Sequence, residues 1–348
     1  VTAPIVFAIP GAIDQPTGGY GYDRRMIAEW QAAGRTVRHL ALGDSFPLAT
    51  AGDIAAADAA LAGLAPGTTV LVDGLAFSAV GSPIGRHARR LDLVALIHHP
   101  LSLETGLAPD IAAALRESEL AALAQARAIV ATSHETARGL IADFAVDPGR
   151  LSVAVPGTDT RGRAPARGNP PLLLSIATVI PRKGHDLLVA ALARLAERPW
   201  TCRIVGDHDR DPAWTEKIRA AIAAAGLGAR ITLAGITRDP AAELQAADIF
   251  VLPSRYEGYG MAFAEALASG LPVVACRAGA VPEVVPDSAG ILVPVDDAGA
   301  LAAALALLLD DPARRRRLSD GAYAAGQRLP RWADSARTIA AVLDRVGP

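Results

Sequence analysis

The sequence predicts an α/β protein of two domains, and three observations carry that expectation. Its 348 residues suffice for two units that each bury a core. Short apolar runs that stop at Pro, Gly or a polar pair alternate with longer helical patterns along the whole chain, as in a parallel sheet wrapped by helices. One stretch, Asp248 to Cys276, holds the complete unit of strand, glycine loop, helix and strand.

In order, Ile5 to Ile9 predicts a first strand, running into Pro10-Gly11. Gly18-Gly19-Tyr20-Gly21 then makes a glycine loop before a helix from Tyr22 to Ala33, closed by Gly34. With Arg24 where a third glycine would stand, the loop does not match G-x-G-x-x-G, which argues against a dehydrogenase. Strands follow at Thr36 to Ala41, Thr69 to Val72 and Leu93 to Ile97, with an alanine-rich helix at Ala51 to Ala62. The last two strands end in Asp73-Gly74 and His98-His99-Pro100, and ligands of an open parallel sheet sit beyond such carboxyl ends. His98 and His99 face opposite ways on an extended chain, so they are not expected to bind one metal together. From the residues alone, His98 reads either as a core histidine or as a ligand-facing one.

Glu117 to Arg127 predicts a helix, Ala128 to Ala131 a strand, and Thr132-Ser-His-Glu135 a capping box opening the next helix. Leu151 to Val155 is the last strand of the first domain, placed at residues 1–160. Residues 160–171 shift to Arg, Gly, Pro and Ala and read as a linker. The second domain is placed at 172–330, beginning with a strand from Leu172 to Ile176. There, Pro181-Arg182-Lys183-Gly184 puts two cations between a strand end and a helix from His185 to Ala196, which suits a diphosphate. Cys202 to Val205 leads into Gly206, and Ile231 to Ala234 into Gly235-Ile236. Asp207-His-Asp209 is formally a D-x-D triplet, although three letters are too few to assign a metal and none is expected. Arg314 to Arg317 reads as a solvated helix face balanced by Asp310 and Asp311, or as a weak contact to anionic lipid. The last element, 331–348, predicts an amphipathic helix with Trp332, Ala336, Ile339, Leu343 and Val346 on one side.

Composition narrows the function classes. A net charge of −2 gives no electrostatic reason to expect nucleic acid. Two cysteines, Cys202 and Cys276, both in apolar runs, make a disulfide framework unexpected and a cytoplasmic location the expectation. The beginning of the sequence does not read as a signal peptide, and the longest apolar run, Ala298 to Leu309, is too short to span a bilayer. Of 34 basic residues only Lys183 and Lys217 are lysines. A lysine kept against that bias hints that a compact point charge is wanted there.

The chemistry concentrates in Asp248 to Cys276. Ile249 to Leu252 and Val273 to Cys276 are strands, and Met261 to Ser269 is a helix ended by Gly270 and Pro272. Glu257 and Glu265, eight positions apart, would be separated by roughly 12 Å on one helix, too far to share a proton or a metal. They read as solvated charges, or as two acceptors gripping different hydroxyls of one elongated ligand. Between them, Gly258, Tyr259 and Gly260 precede a helix N-terminus, where the free amides of Met261 and Ala262 favour a phosphate. Hydroxyls, phosphate, hydroxyls is the profile of a sugar nucleotide.

Glu257-Gly-Tyr-Gly-Met-Ala-Phe-Ala-Glu265, with its continuation to Ala275, resembles the E-x7-E motif of the retaining family 4 glycosyltransferases. The resemblance extends over essentially the whole chain and is strongest from 172 to 285. It implies the GT-B architecture, two Rossmann-like domains facing each other across a cleft, with the C-terminal helix crossing back to the first. It implies a hexosyltransferase that moves a sugar from a nucleoside diphosphate sugar to an acceptor hydroxyl with retention, needing neither metal nor cofactor. By resemblance Glu257 holds the donor sugar, Glu265 the ribose diol, and His98 lines the transferred sugar. Arg182, Lys183, Gly18, Gly19 and the amides after Gly260 stabilise the diphosphate, and Gly206 and Ile236 lie in nucleoside-binding loops. Where the family commonly has Gly-Arg this chain has Ala177-Thr178, and the missing charge is assigned to Arg182. The acceptor, whether small molecule, glycan or lipid-linked, is not encoded in any general motif, and peripheral membrane contact remains open. The alternatives are a nucleotide-sugar epimerase of the same architecture, or a catalytically silent nucleotide-sugar-binding protein.

Overall fold

The computed structural model describes residues 4–347 apart from 16, 47 and 80. The chain forms two compact units, one made of residues up to 157 together with those from 330 on, the other of residues 158–329.

The first unit is built on a six-stranded parallel sheet: β1 (Ile5–Pro10), β2 (Val37–Leu42), β3 (Thr69–Asp73), β4 (Asp92–Ile97), β5 (Ala128–Ala131) and β6 (Leu151–Val153), in the order β2-β1-β3-β4-β5-β6. β1, β4 and β5 are buried nearly end to end, because helices cover both faces of a sheet with this connectivity. The order reverses between β1 and β3, whose register pairs Phe7 with Leu71.

Two local expectations need correction. Gly18 and Gly19 form the first turn of the helix Gly18–Ala32 instead of a loop ahead of it. Their φ angles are negative, the first amides of a helix lack intrahelical partners anyway, and Tyr20 and Tyr22 tie that turn down by donating their hydroxyls to the carbonyls of Pro10 and Ala154. The cap of the helix His134–Phe144 is Ser133, whose Oγ accepts from Thr136 N at 2.9 Å, one position later than the predicted box. Glu135 faces Arg138 instead.

The terminal helix Trp332–Val346 belongs to this first unit. Trp332, Ala336, Ile339 and Leu343 are buried as the pattern requires, while Val346 is only half-buried. Trp30 Nε1 donates to Ala336 O at 2.8 Å, and Arg35 grips Asp344 with two hydrogen bonds.

The second unit repeats the plan with β7 (Leu172–Ile176), β8 (Thr201–Val205), β9 (Ile231–Gly235), β10 (Ile249–Leu252), β11 (Val273–Cys276) and β12 (Gly290–Val293), ordered β12-β11-β10-β7-β8-β9. Here the order reverses between β7 and β10, which are joined at Ile249–Leu173 and Phe250–Leu174. Residues 160–171 lie within this unit, and buried Asp248 anchors their end by accepting from Gly168 N and Leu172 N. Cys202 and Cys276 are buried free thiols on β8 and β11. Of the acids expected to balance Arg314 to Arg317, Asp310 is bound to Arg198 and Asp311 caps Arg314 N.

Candidate functional site

Each unit places chemistry at its own sheet reversal, where the loops beyond two neighbouring strands part and leave room for a ligand. In the second unit, β7 runs into a tight turn at Pro181–Lys183 and β10 runs into the loop 253–260. Arg255 joins the two: its amide donates to Arg182 O at 2.7 Å, and its guanidinium takes Asp186 in a fork. Gly184 closes the turn with φ +68°, and a Cβ there would collide with the carbonyl of Pro253, so only glycine lets the two loops approach.

That approach brings Lys183 onto Glu257. Nζ lies 2.7 Å from Oε1 and 2.9 Å from Oε2, Ser254 Oγ donates to Oε1 at 2.6 Å, and Arg182 Nη1 stands 3.7 Å from Oε2. Glu257 is 5 % exposed. Its burial would raise the carboxyl, but the charges of Lys183 and Arg182 and the bonds from Lys183 and Ser254 outweigh it and hold the group below its ordinary value. Three of about four acceptor positions on the carboxylate are thus used, and the remainder lies on Oε2. Arg182 also donates to Tyr256 O.

Beyond Glu257, Gly260 takes φ +95° and starts the helix Met261–Ala268. The amides of Phe263 and Ala264 turn back on Gly260 O, which leaves those of Met261 and Ala262 at the helix tip. Gly279 packs on the Glu257 backbone so closely that no side chain fits, and Ala280 N donates to Glu257 O at 2.9 Å. Tyr259 is buried. Glu265, one helix turn on, is half-buried; its backbone carbonyl accepts from Ser269, while its carboxylate makes no hydrogen bond among the described residues. Burial raises its carboxyl, Arg161 opposes this and Asp159 adds to it.

At the ends of β8 and β9, Gly206 N donates to Gly235 O at 2.8 Å, and a side chain at Gly206 would strike Ala177 O. Ile236 is 56 % exposed, an apolar side chain next in sequence to Gly235, against which His208 packs. The structure therefore gathers Arg182, Lys183, Glu257 and the helix tip into one cluster. Gly206 and Ile236 stand at neighbouring strand ends.

In the first unit, His98 follows β4 and is 23 % exposed at its side chain. Its Nε2 lies 3.3 Å from Asp73 Oδ2 and 3.5 Å from Asp23 Oδ1, close enough for ionic attraction but without hydrogen-bond alignment. Tyr22 meets the ring edge-on at 5.1 Å, and a Cβ on Gly19 would come within 3.8 Å of His98 Cδ2. Asp73 Oδ1 accepts from Leu75 N at 2.9 Å, starting the helix Gly74–Ala79. Asp23, Asp73 and His98 are also the one set of three side chains of metal-binding type, among the described residues, with ligand atoms within 4.8 Å of one another. Asp23 was not singled out from sequence, yet a signal exists: it stands three and seven positions before Met26 and Trp30, an acid on the buried stripe of its helix. Ser254 carried no such signal, because a serine in a loop is the ordinary case.

Residues 158–325, nearly all of the second unit, match the family model described as Glycosyl transferases group 1. Among solved structures, sucrose-phosphate synthase from Thermosynechococcus elongatus superposes with a TM-score of 0.81, covering 97% of this chain and 98% of that one at 23% identity. Anabaena HepE, solved in complex with UDP-glucose, gives 0.76 over 98% and 100% at 17% identity. The fold is GT-B. Among curated proteins, the GT-B chain is 33% identical to the MMP alpha-(1->4)-mannosyltransferase of Mycolicibacterium hassiacum over 273 residues, 73% of this chain and 65% of that protein. It is 34% identical to the D-inositol 3-phosphate glycosyltransferase of Xylanimonas cellulosilytica over 242 residues, 64% and 57%. The chain spans about half to two thirds of the length of the curated relatives it matches. No helix among the described residues is long and apolar enough to cross a membrane.

Proposed function

We propose that this chain transfers a hexose from a nucleoside diphosphate sugar to an acceptor hydroxyl, with retention of configuration and without a metal ion. The observation that carries the reading is the convergence of Lys183 and Arg182 on buried Glu257 at the β7–β10 reversal, beside the helix tip at Met261. Leaving-group charge develops on the diphosphate as the sugar bond breaks, and preorganised cations and amide dipoles stabilise it without reorganising. Lys183, Arg182 and the amides of Met261 and Ala262 supply that charge in place of a divalent ion. Glu257, kept ionised, offers Oε2 to a sugar hydroxyl, and Glu265 presents an open carboxylate to the ribose diol. In the first unit, His98 with Gly18 and Gly19 contacts sugar and phosphate oxygens. Arg182 takes the place of the arginine that Thr178 does not provide. The names of the relatives support a hexose, and the UDP-glucose bound to HepE supports a nucleotide-sugar donor.

The test is a thermal-shift screen of UDP-, GDP- and ADP-sugars, then donor hydrolysis and transfer with and without EDTA. Saturation at a hundredfold over Kd stabilises by about 2.7 kcal/mol, a readily measured rise in Tm. Activity that survives EDTA, with a product whose anomeric configuration matches the donor, is the expected result. Epimerised donor without an acceptor, or tight binding with neither transfer nor hydrolysis, would replace the transferase by an epimerase or a sensor.

A further inference from the structure

The His98 cluster holds a feature that sugar binding alone does not require. Two buried carboxylates from different elements, Asp23 on the helix Gly18–Ala32 and Asp73 at the end of β3, both meet the same ring nitrogen. Asp23 is 1 % and Asp73 2 % exposed. Asp73 is oriented by the amide of Leu75, which occupies Oδ1 and turns Oδ2 to the imidazole. Asp23 Oδ1 has no hydrogen-bond partner, so its charge has little to meet except His98 and the more distant Arg24. Arg24 itself is engaged by the carbonyls of Ile13 and Gln15. Tyr22 packs perpendicular to the ring and carries its proton in a bond to Ala154 O, and His99 is the next residue along the segment. A neutral imidazole would leave the two buried carboxyls with no cation between them, so that ionising both would be costly in a low dielectric.

We propose that Asp23 and Asp73 are positioning residues that keep His98 an imidazolium at neutral pH, so that the ring meets its ligand through Nδ1 as a cationic hydrogen-bond donor and not as a general base. Nε2 is committed to the carboxylates, and Nδ1 is the nitrogen left for an oxygen of sugar or phosphate. Burial by itself lowers the imidazole, but the closeness and the charges of Asp23 and Asp73 outweigh it and raise the group to about 10. Asp23 is pushed up to about 7, by burial first and then by the charge of Asp73, against the pull of His98 and Arg24. The trio therefore contains one cation, His98, and one carboxyl, Asp23, pushed up toward neutrality beside Asp73. The functional consequence, a donor rather than a base at the sugar, rests on the transferase reading; the charge state itself does not.

The test reads the charge directly, on ligand-free protein. With 15N-labelled histidine the ring signals of the seven histidines are followed from acid to alkaline pH, and that of His98 is assigned by its loss in His98→Gln. The expected result is an imidazolium pattern for His98 that persists above pH 8, and a midpoint lowered by about 1–3 pH units in Asp73→Asn. That substitution keeps the oxygen that caps Leu75 N. Asp23→Asn provides the second measurement should Asp73→Asn fail to fold, and is expected to move the midpoint the same way. A neutral ring in the wild type at pH 7.5, or a midpoint unmoved in both variants, overturns the proposal. So does a ring pattern that changes on adding EDTA, because the trio would then hold a metal instead of a proton.

Discussion

Lys183 Nζ sits 2.7 and 2.9 Å from the two oxygens of Glu257, a carboxylate buried beside Ser254 and Arg182. Such a pair contributes little against a hydrophobic replacement of both partners, but removing one partner strands the other charge without water. Lys183→Ala should therefore destabilise the protein by about 3–5 kcal/mol, with Arg182 at 3.7 Å holding the loss to the lower end. Urea unfolding measures it. Adding Glu257→Gln to Lys183→Ala should recover much of the loss, and a single-variant cost below about 1 kcal/mol, the size of an exposed pair, would mean the contact does not persist in solution.

The same pair sets an acid sensitivity. Because the folded protein holds Glu257 below the ordinary 4.5, its contribution to stability is fully present above that value and is lost as pH falls through the depressed folded value. Wild type should lose more stability than Glu257→Gln between about pH 5 and pH 2. Parallel curves for the two proteins would show that the carboxyl is not depressed.

The two glutamates of the motif should fail differently. Glu265→Gln removes a half-buried carboxylate with no internal partner, so its cost should fall on donor affinity. A lost charge-assisted hydrogen bond of about 1.5–3 kcal/mol corresponds to roughly ten- to hundredfold in Kd. Glu257→Gln disturbs Lys183 and Arg182 as well and should lower kcat more than it raises KM. Titration calorimetry with the donor and steady-state kinetics separate the two, and matching defects would remove the distinction in roles.

Gly184→Ala should damage the site without touching a ligand. The residue sits at φ +68° and a methyl group there would collide with Pro253 O, so the turn carrying Lys183 must move away from the loop carrying Glu257. Adding a side chain where φ is positive costs more than the ~0.4–1 kcal/mol that the same change gains at a compatible position. A donor affinity lowered together with Tm is the expected result, whereas wild-type values for both would show that the two loops are not held together as described.

How much of this was legible in advance follows the range of each interaction. Strands such as Ile249–Leu252, Ala128–Ala131 and Val273–Cys276 stand where the apolar runs put them, because burial on both sheet faces depends only on a local run of side chains. Helix starts were less secure. Ser133 displaced Thr132 as a cap, and Gly18 and Gly19 entered a helix, because cap choice depends on which backbone path the neighbouring loop takes. Glu257 and Lys183 were readable as separate signals 74 positions apart, but their bond was not.

By itself, the sequence determined the alternation of strand and helix and the residues bearing charge at the ends of strands, since both depend on short stretches of chain. Tertiary structure alone decided which of those charges neutralise one another: Lys183 with Glu257 in one unit, and His98 with Asp23 and Asp73 in the other. The physical reason is that a buried charge is governed by whatever lies within a few ångströms of it, and sheet order, not sequence distance, brings those groups together.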